Sequence, residues 1–331
     1  MFSRIKAHKN LFSLLFLISF SVLFTGCVSV NIPLHSASRP LQEFTLSGKD
    51  SHKILLITIN GTISNNSSSS FVGNTPSVVQ EVVSQLDLAR QDNNIKAVIL
   101  KINSPGGTIT ASDILYNELV RFKKETHKKI VVCMMDVAAS GGYYISLPAD
   151  VIIAHPTTVT GSIGVVMMQP KFYGLMEKIG VEMNVNKSGK NKDMGSPYRA
   201  GTAEEKKLFL NLTTTLAKQF YAKVKAHRKI SDADFAEIKT ARVFLAQKAK
   251  DLNLIDKIGY LSDAIKTAET LAKIPKNSKL IVYRRYKYSN DNVYNGLTVK
   301  AGKKVSLIDL GILNKVSSLP AGFYYIWTPG L

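Results

Sequence analysis

Two apolar runs, each ending in paired glycines and each followed by helix-forming sequence, set the strongest limit on how this chain can fold. The first is Ala97-Val98-Ile99-Leu100-Lys101-Ile102, closed by Asn103-Ser104-Pro105-Gly106-Gly107 and followed by a helical stretch from Ser112 to Lys123. The second runs from Ile130 to Met135 and reaches Val137-Ala138-Ala139-Ser140-Gly141-Gly142-Tyr143-Tyr144. Apolar strands alternating with helices predict an α/β fold with a parallel sheet. Two glycine pairs at corresponding strand ends let backbone approach a ligand closely from two loops, and two backbone N–H donors are what an oxyanion hole requires. Ser140 stands at the second of these turns, where a small hydroxyl residue opens a helix. Ala138 occupies the place of the first glycine in the G-x-S-x-G elbow, so the turn is not the one found in α/β-hydrolases. Alone, S-G-G is a tight turn that needs small residues.

The rest of the chain extends the same pattern. Ile54 to Ile59 reads as a strand ended by Asn60-Gly61, Ser64 to Asn74 as a surface loop, and Val78 to Ala89 as a helix opened by Pro76-Ser77. After Ser140, Val151-Ile152-Ile153-Ala154 is a strand and Thr160-Gly161-Ser162-Ile163-Gly164 a second Gly/Ser turn. Lys187 to Pro197 is a polar loop. Thr202-Ala203-Glu204-Glu205 has capping-box spacing and opens a long amphipathic helix toward His227. Further helices are predicted over 231–238, 246–252 and 265–271. The tail carries two strand-like pieces, Leu280 to Tyr283 and Phe323 to Trp327, and no motif.

At the N-terminus, Arg4, Lys6 and Lys9 precede an uncharged apolar run from Leu11 to Phe24, followed by Thr25-Gly26-Cys27. This is the form of a bacterial export signal, with Cys27 placed as a lipoprotein acylation site; left uncleaved, the apolar length suffices for a marginal span. Either route anchors the protein in the cell envelope with its bulk outside the cytoplasm. The expected organisation is a signal or anchor over 1–26, a polar spacer over 27–51, a catalytic domain over 52–275 and a C-terminal extension over 276–331. The formal net charge of +19 is carried by scattered lysines without an aromatic-interleaved basic motif. It therefore favours an anionic membrane surface over nucleic acid as partner. The second cysteine, Cys133, falls in a buried strand, which argues against an intrachain disulfide.

A serine nucleophile needs a base. None of the six histidines sits in a motif with a carboxylate; His155, directly after a strand, reads as structural. A lysine can serve when its pKa falls from ~10.4 toward working pH, but spacing alone does not choose among the 43 Lys and Arg residues.

Five motifs occur in uninterrupted order: S-P-G-G (104–107), A-S-G-G-Y-Y (139–144), T-G-S-I-G (160–164), K-S-G-x-x-K-D-x-x-S-P (187–197) and R-V-F-x-A-x-x-A-x-x-L-x-L-I-D-x-I-G (242–259). Together they resemble the signal peptide peptidase A family in its short, single-repeat form, over residues 53 to 270. The resemblance implies the Clp protease/crotonase fold of repeated strand–strand–helix units and a serine–lysine dyad peptidase. By position it implies Ser140 as nucleophile, Lys192 as general base, and Ser162 as the hydroxyl that orients the lysine. The N–H groups of Gly107 and Gly141 match the oxyanion donors. It also implies peptide substrates such as signal-peptide remnants, a homo-oligomeric ring with the dyad shared between subunits, and no metal or nucleotide cofactor. Phe244 and Leu245 depart from the family's usual Tyr and Gly, in a stretch read as a distal packing motif. Three rival readings carry their own tests: a crotonase-type acyl-CoA enzyme, a non-catalytic membrane scaffold and a nucleic-acid binder.

Overall fold

The computed structural model describes residues 39–70, 73–288, 290–295 and 321–328. The basic and apolar N-terminal run and Cys27 lie outside the described residues. Among the described residues no helix is long and apolar enough to cross a membrane.

In chain order the elements are strands β1 (Gln42–Ser47), β2 (Lys53–Asn60), β3 (Ser68–Ser70) and β4 (Gly73–Thr75), then helix α1 (Val78–Gln91). Strands β5 (Ile95–Ser104) and β6 (Gly106–Thr108) precede α2 (Ile109–Thr126), and β7 (Lys129–Ala139) precedes α3 (Gly141–Tyr144). Next come β8 (Val151–Ala154), β9 (Val159–Gly161), β10 (Val166–Met168), α4 (Tyr173–Lys178), α5 (Ala203–His227) and α6 (Asp232–Ile238). The chain continues through β11 (Val243–Leu245), α7 (Ala246–Asp251), β12 (Lys257–Ile258), α8 (Leu261–Ala272), β13 (Lys279–Arg284) and β14 (Gly322–Ile326).

The main sheet runs β1-β13-β2-β5-β7-β8-β12, with β9 also paired to β7 and β11 to β9. Every pairing from β13 to β12 is parallel; β1 joins antiparallel on the outer edge. A parallel sheet is covered on both faces, so its strands are apolar throughout rather than alternating. Strand β2 shows this directly. Leu55, Ile57 and Ile59 face one core with Leu86, Leu115 and Phe122, while Ile54 and Leu56 face another with Leu261, Ala264 and Ala268. Each fully buried Ile or Leu contributes about 1.5–3 kcal/mol relative to exposure. The α/β expectation holds.

Capping follows the sequence. Ser77 Oγ accepts from Gln80 N–H at the start of α1, and Thr202 with Glu205 forms the expected capping box on α5.

Two local readings change, and the two strand-like pieces of the tail are found as strands. Gly106 and Gly107 do not form a turn but the short strand β6, with Ile63 N–H donating to Gly106 O on one side. Residues 42–47, read as spacer, form β1, which runs along β13. The C-terminal stretch supplies both β13 in the main sheet and β14, the middle strand of a separate sheet β10-β14-β6. After β13 the chain is pinned across the sheet: Arg285 Nη1 pairs with Glu81 at 2.7 Å, and the buried Lys101 ammonium donates to Val293 O at 2.7 Å. Burial lowers the Lys101 pKa. A lysine so enclosed holds its charge against backbone carbonyls, which ties the tail to β5.

Candidate active site

Strand β7 is the longest among the described residues and delivers Ser140 at its end. The serine has φ 52° and ψ −113°, a conformation that a residue with a Cβ rarely adopts. Such a backbone costs of order 1–3 kcal/mol and persists only where its surroundings over-determine it. Those surroundings are visible. Ser140 N–H donates to Gly161 O at 2.7 Å, and Tyr144 N–H donates to Ser140 O at 2.8 Å. The tyrosines of the motif anchor the turn from inside: Tyr143 Oη donates to Leu254 O and Tyr144 Oη to Asp113 Oδ1, at 2.9 and 2.7 Å. Helix α3 is a single turn, so the stabilising power of this corner rests on individual N–H groups rather than on a long helix dipole.

Ser140 is buried, and its Oγ makes no hydrogen bond to any other protein group. No histidine or lysine among the described residues therefore hydrogen-bonds it. His155 Nδ1 lies 2.8 Å from Thr157 Oγ1 and His227 Nε2 2.7 Å from Tyr116 Oη, with burial holding the His227 pKa below its ordinary value. Both are engaged structurally, as the sequence suggests for His155.

Gly106, the neighbour of Gly107, and Gly141 come together at the turn that carries Ser140. A Cβ built on Gly106 would fall 2.7 Å from Gly141 N, so the β6 backbone passes directly against the start of α3. Gly106 has φ +103°, which admits no side chain without strain, and a Cβ on Gly107 would meet Ile63 O at 1.8 Å. Gly106 O and Thr108 N both bond to Ile63. Alternation along a strand turns the intervening Gly107 N–H and C=O to the opposite side.

Ser162 is the second serine with positive φ, at 50°. It follows β9, which lies parallel to β7 with Ala139 opposite Gly161. Ser140 and Ser162 are thus the next residues on two adjacent strands. The R-V-F motif, read as distal packing, belongs to this corner. Arg242 O accepts the Ser162 N–H at 2.9 Å, and Phe244, on β11 opposite Thr160, packs where a Cβ on Gly161 would reach its ring at 2.7 Å. No local signal in 242–245 reveals this, because an antiparallel pairing across about eighty residues is a tertiary fact.

Lys192 lies apart. It is exposed, in the loop before α5. The loop is braced by its neighbours: Asp193 accepts from Lys187 Nζ at 2.7 Å and from Arg199 Nε at 2.7 Å, and Arg199 Nη1 donates to Glu205 Oε2 at 3.0 Å. Hydrogen bonds from Arg199, then Lys187, hold the Asp193 carboxyl well below the usual range. Those from Arg199 lower Glu205 to about 2. The segment carrying the loop exposes Phe172, Leu175, Ile179, Val181, Met183 and Val185. Cys133 is a free, buried thiol whose pKa burial raises to about 12.

The chain is similar to known proteases. The model of peptidase family S49 matches residues 122–275, and the model of Clp protease matches residues 71–160. A candidate signal peptide peptidase SppA of Enterococcus faecium is 32% identical over 267 residues, 81% of this chain and 76% of that protein. A candidate protease of Methanocaldococcus jannaschii is 36% identical over 201 residues, 61% of this chain and 64% of that one. Protease 4 of Haemophilus influenzae is 31% identical over 244 residues, 73% of this chain but 38% of the relative. The chain thus spans just under two-thirds of the archaeal relative's length and much less of protease 4.

Proposed function

The chain belongs to peptidase family S49 as a serine peptidase of the signal peptide peptidase A type, and from that premise we propose that it hydrolyses hydrophobic peptides, such as signal-peptide remnants, with Ser140 as nucleophile and Lys192 as general base. The observation that carries the reading is the state of Ser140. It is held in a strained conformation, with its Oγ bonded to no protein group, beside two glycine N–H groups from different elements. Strain at a buried, unengaged hydroxyl is retained where chemistry requires it.

Neutral Lys192 takes the Ser140 proton as Oγ attacks the peptide carbonyl. The N–H groups of Gly107 and Gly141 stabilise the oxyanion, and the lysine returns the proton to the leaving amine. Water, activated by the same amine, then hydrolyses the acyl-enzyme. Ser162, beside Ser140, orients the amine.

Within one chain Ser140 Oγ has no lysine partner and Lys192 is exposed on a segment rich in exposed apolar side chains. Both features support a ring in which each Ser140 meets the Lys192 of a second copy, and the apolar segment is covered in the same contact. The N-terminal apolar run, with or without acylation of Cys27, would hold the ring at the membrane of the cell envelope.

The test is direct. Ser140→Ala and Lys192→Ala should each remove hydrolysis of a hydrophobic signal-like peptide by several orders of magnitude, because nucleophile and base act as a unit. Both variants should remain folded by circular dichroism. Near-normal turnover by either variant overturns the assignment.

A further inference from the structure

The parallel strands of the main sheet begin on lysines. Lys279 opens β13, Lys53 opens β2, Lys96 is the second residue of β5 and Lys129 opens β7. These positions are neighbours in register: Lys279 lies opposite Lys53, Lys53 opposite Ile95, and Ala97 opposite Lys129. The loops that lead into the strands are held against one another. Lys279 N–H donates to His52 O and Lys53 N–H to Asn94 O, both at 2.8 Å, and a Cβ on Gly48 would meet Ser278 O at 2.2 Å. Exposed Lys49, Lys273 and Lys276 sit in these loops, and exposed Lys124 in the last turn of α2 just before β7. From β1 to β7 this rim crosses four strand spacings, about 19 Å.

Helix C-termini favour cations, and α1, α2 and α8 all end at the rim. That accounts for part of the charge only. Lys128 Nζ donates to Asp92 O at 2.8 Å and to Ala89 O, and Lys123 Nζ to Pro148 O at 3.1 Å. The three carboxylates in the loops leading into β2, β5, β7 and β8 are already engaged: Asp50 by His52, Asp92 by Lys53 and Asp150 by Lys123, at 2.6, 2.9 and 2.9 Å. The other seven lysines of the rim have no ion pair and no side-chain hydrogen bond among the described residues. Burial, and more weakly the Lys96 charge, lower the Lys128 pKa against the pull of Asp92. Like charges gathered without counter-charge work against the compact state, and an anionic surface offsets that repulsion.

We propose that this lysine rim is the face on which the protein docks to anionic phospholipid headgroups. The inference deepens the membrane placement given above and rests on it, not on the roles of Ser140 and Lys192. The chemistry of the rim fits a lipid surface. Lysine is a flexible point charge suited to mobile headgroup phosphates, and the rim loops contain no Phe, Tyr, Trp or Arg to stack or fork on a nucleic acid. The tether permits the contact. Arg39 precedes β1, whose start lies at the opposite end of the sheet beside Arg284. Lys49 stands on the rim, at most about 34 Å from Arg39 along the extended chain. Residues 27–38 reach about 40 Å at full extension. Ser140 closes β7 at the end of the sheet away from the rim, about 33 Å above it. A docked molecule therefore presents its catalytic corner to water, and substrate reaches Ser140 from the aqueous side rather than sideways from the bilayer.

The test places the full chain on vesicles of phosphatidylcholine alone or with about one third phosphatidylglycerol. Acetylation of each lysine by a water-soluble reagent is followed by mass spectrometry. With the anionic lipid, Lys49, Lys96, Lys124 and Lys276 should react at least about threefold more slowly, while Lys218 on α5 and Lys250 on α7 keep their rates. Protection should vanish in about 1 M salt, where the screening length falls to about 3 Å. Equal rates on both vesicles overturn the proposal. Protection on neutral vesicles by free glycerol phosphate makes the rim a site for single phosphates, and stronger protection by duplex DNA than by the anionic vesicle makes it a nucleic-acid face. Either result overturns the lipid assignment.

A variant isolates the rim. Lys96→Glu/Lys129→Glu/Lys276→Glu should abolish the protection of Lys49 and Lys124 and leave hydrolysis of a soluble peptide unchanged. Protection retained in that variant overturns the rim as the docking face. Failure of the dyad reading shows separately, as hydrolysis by Ser140→Ala, and failure of the N-terminal anchor as release of the chain from pure phosphatidylcholine vesicles.

Discussion

The backbone N–H of Ser140 donates to the carbonyl oxygen of Gly161 at 2.7 Å, tying the end of β7 to the end of β9. This bond brings the two Gly/Ser turns of the sequence, with Ser140 and Ser162 22 residues apart, to one corner. It also holds Ser140 at φ 52° and leaves its side chain as the free end of a rigid element. Gly161 itself is shaped for the task, with φ +89° and Phe244 packed where its Cβ would be.

The strain at Ser140 predicts a difference between two inactive variants. Ser140→Ala keeps the Cβ and the strain, whereas Ser140→Gly relieves it, against about 0.4–1 kcal/mol of added chain entropy in the unfolded state. With strain of about 1–3 kcal/mol, the glycine variant should be the more stable by about 1 kcal/mol in thermal or urea unfolding. A glycine variant no more stable than the alanine variant would show that the conformation is not strained.

Sharing of the dyad between copies predicts complementation. Ser140→Ala and Lys192→Ala proteins, each inactive alone, should regain part of the activity when mixed under conditions that exchange subunits. Activity returns only at contacts where an intact Ser140 meets an intact Lys192. A fully active monomer in light scattering would end the ring.

An amine that acts as base must be neutral, so kcat/KM should rise with pH through the alkalising limb and be weak in acid. The profile should lack the limb of an imidazole base, because both histidines near the core are engaged elsewhere. A maximum at mildly acidic pH would point to another base.

The brace around Lys192 carries its own pH dependence. Asp193 and Glu205 both have carboxyls depressed by Arg199, so their contribution to holding the loop is complete above the unfolded carboxylate pKa of about 4.5 and is lost as pH falls toward 2. Limited proteolysis within 187–199 should accelerate over that window and not between pH 6 and 8. Arg199→Ala should produce the same susceptibility at neutral pH. Under the dyad reading it should also lower kcat by tenfold or more, with a smaller change in KM, because Lys192 adjoins Asp193. Loop protection unaffected by the substitution would remove Arg199 from this role.

The sequence by itself determined the parallel α/β sheet, since uninterrupted apolar strands such as Ile54–Ile59 have only a doubly covered sheet to enter, and it determined the Gly/Ser corners that frame Ser140. Local chemistry suffices for both: side-chain periodicity reports burial, and glycines report where backbone must pass close. Tertiary structure alone decided the rest. That Phe244 and Arg242 support the Ser162 turn depends on β11 pairing with β9, and that Tyr325 lies against Gly107 depends on β14 inserting between β6 and β10. Such pairings are set by which edges remain open once the sheet has closed, a property of the folded whole that no window of residues encodes. Lys192 goes a step further. Its motif names it, but its exposed loop makes no hydrogen bond to the Ser140 Oγ inside one chain, because distance in the fold is not set by separation in sequence.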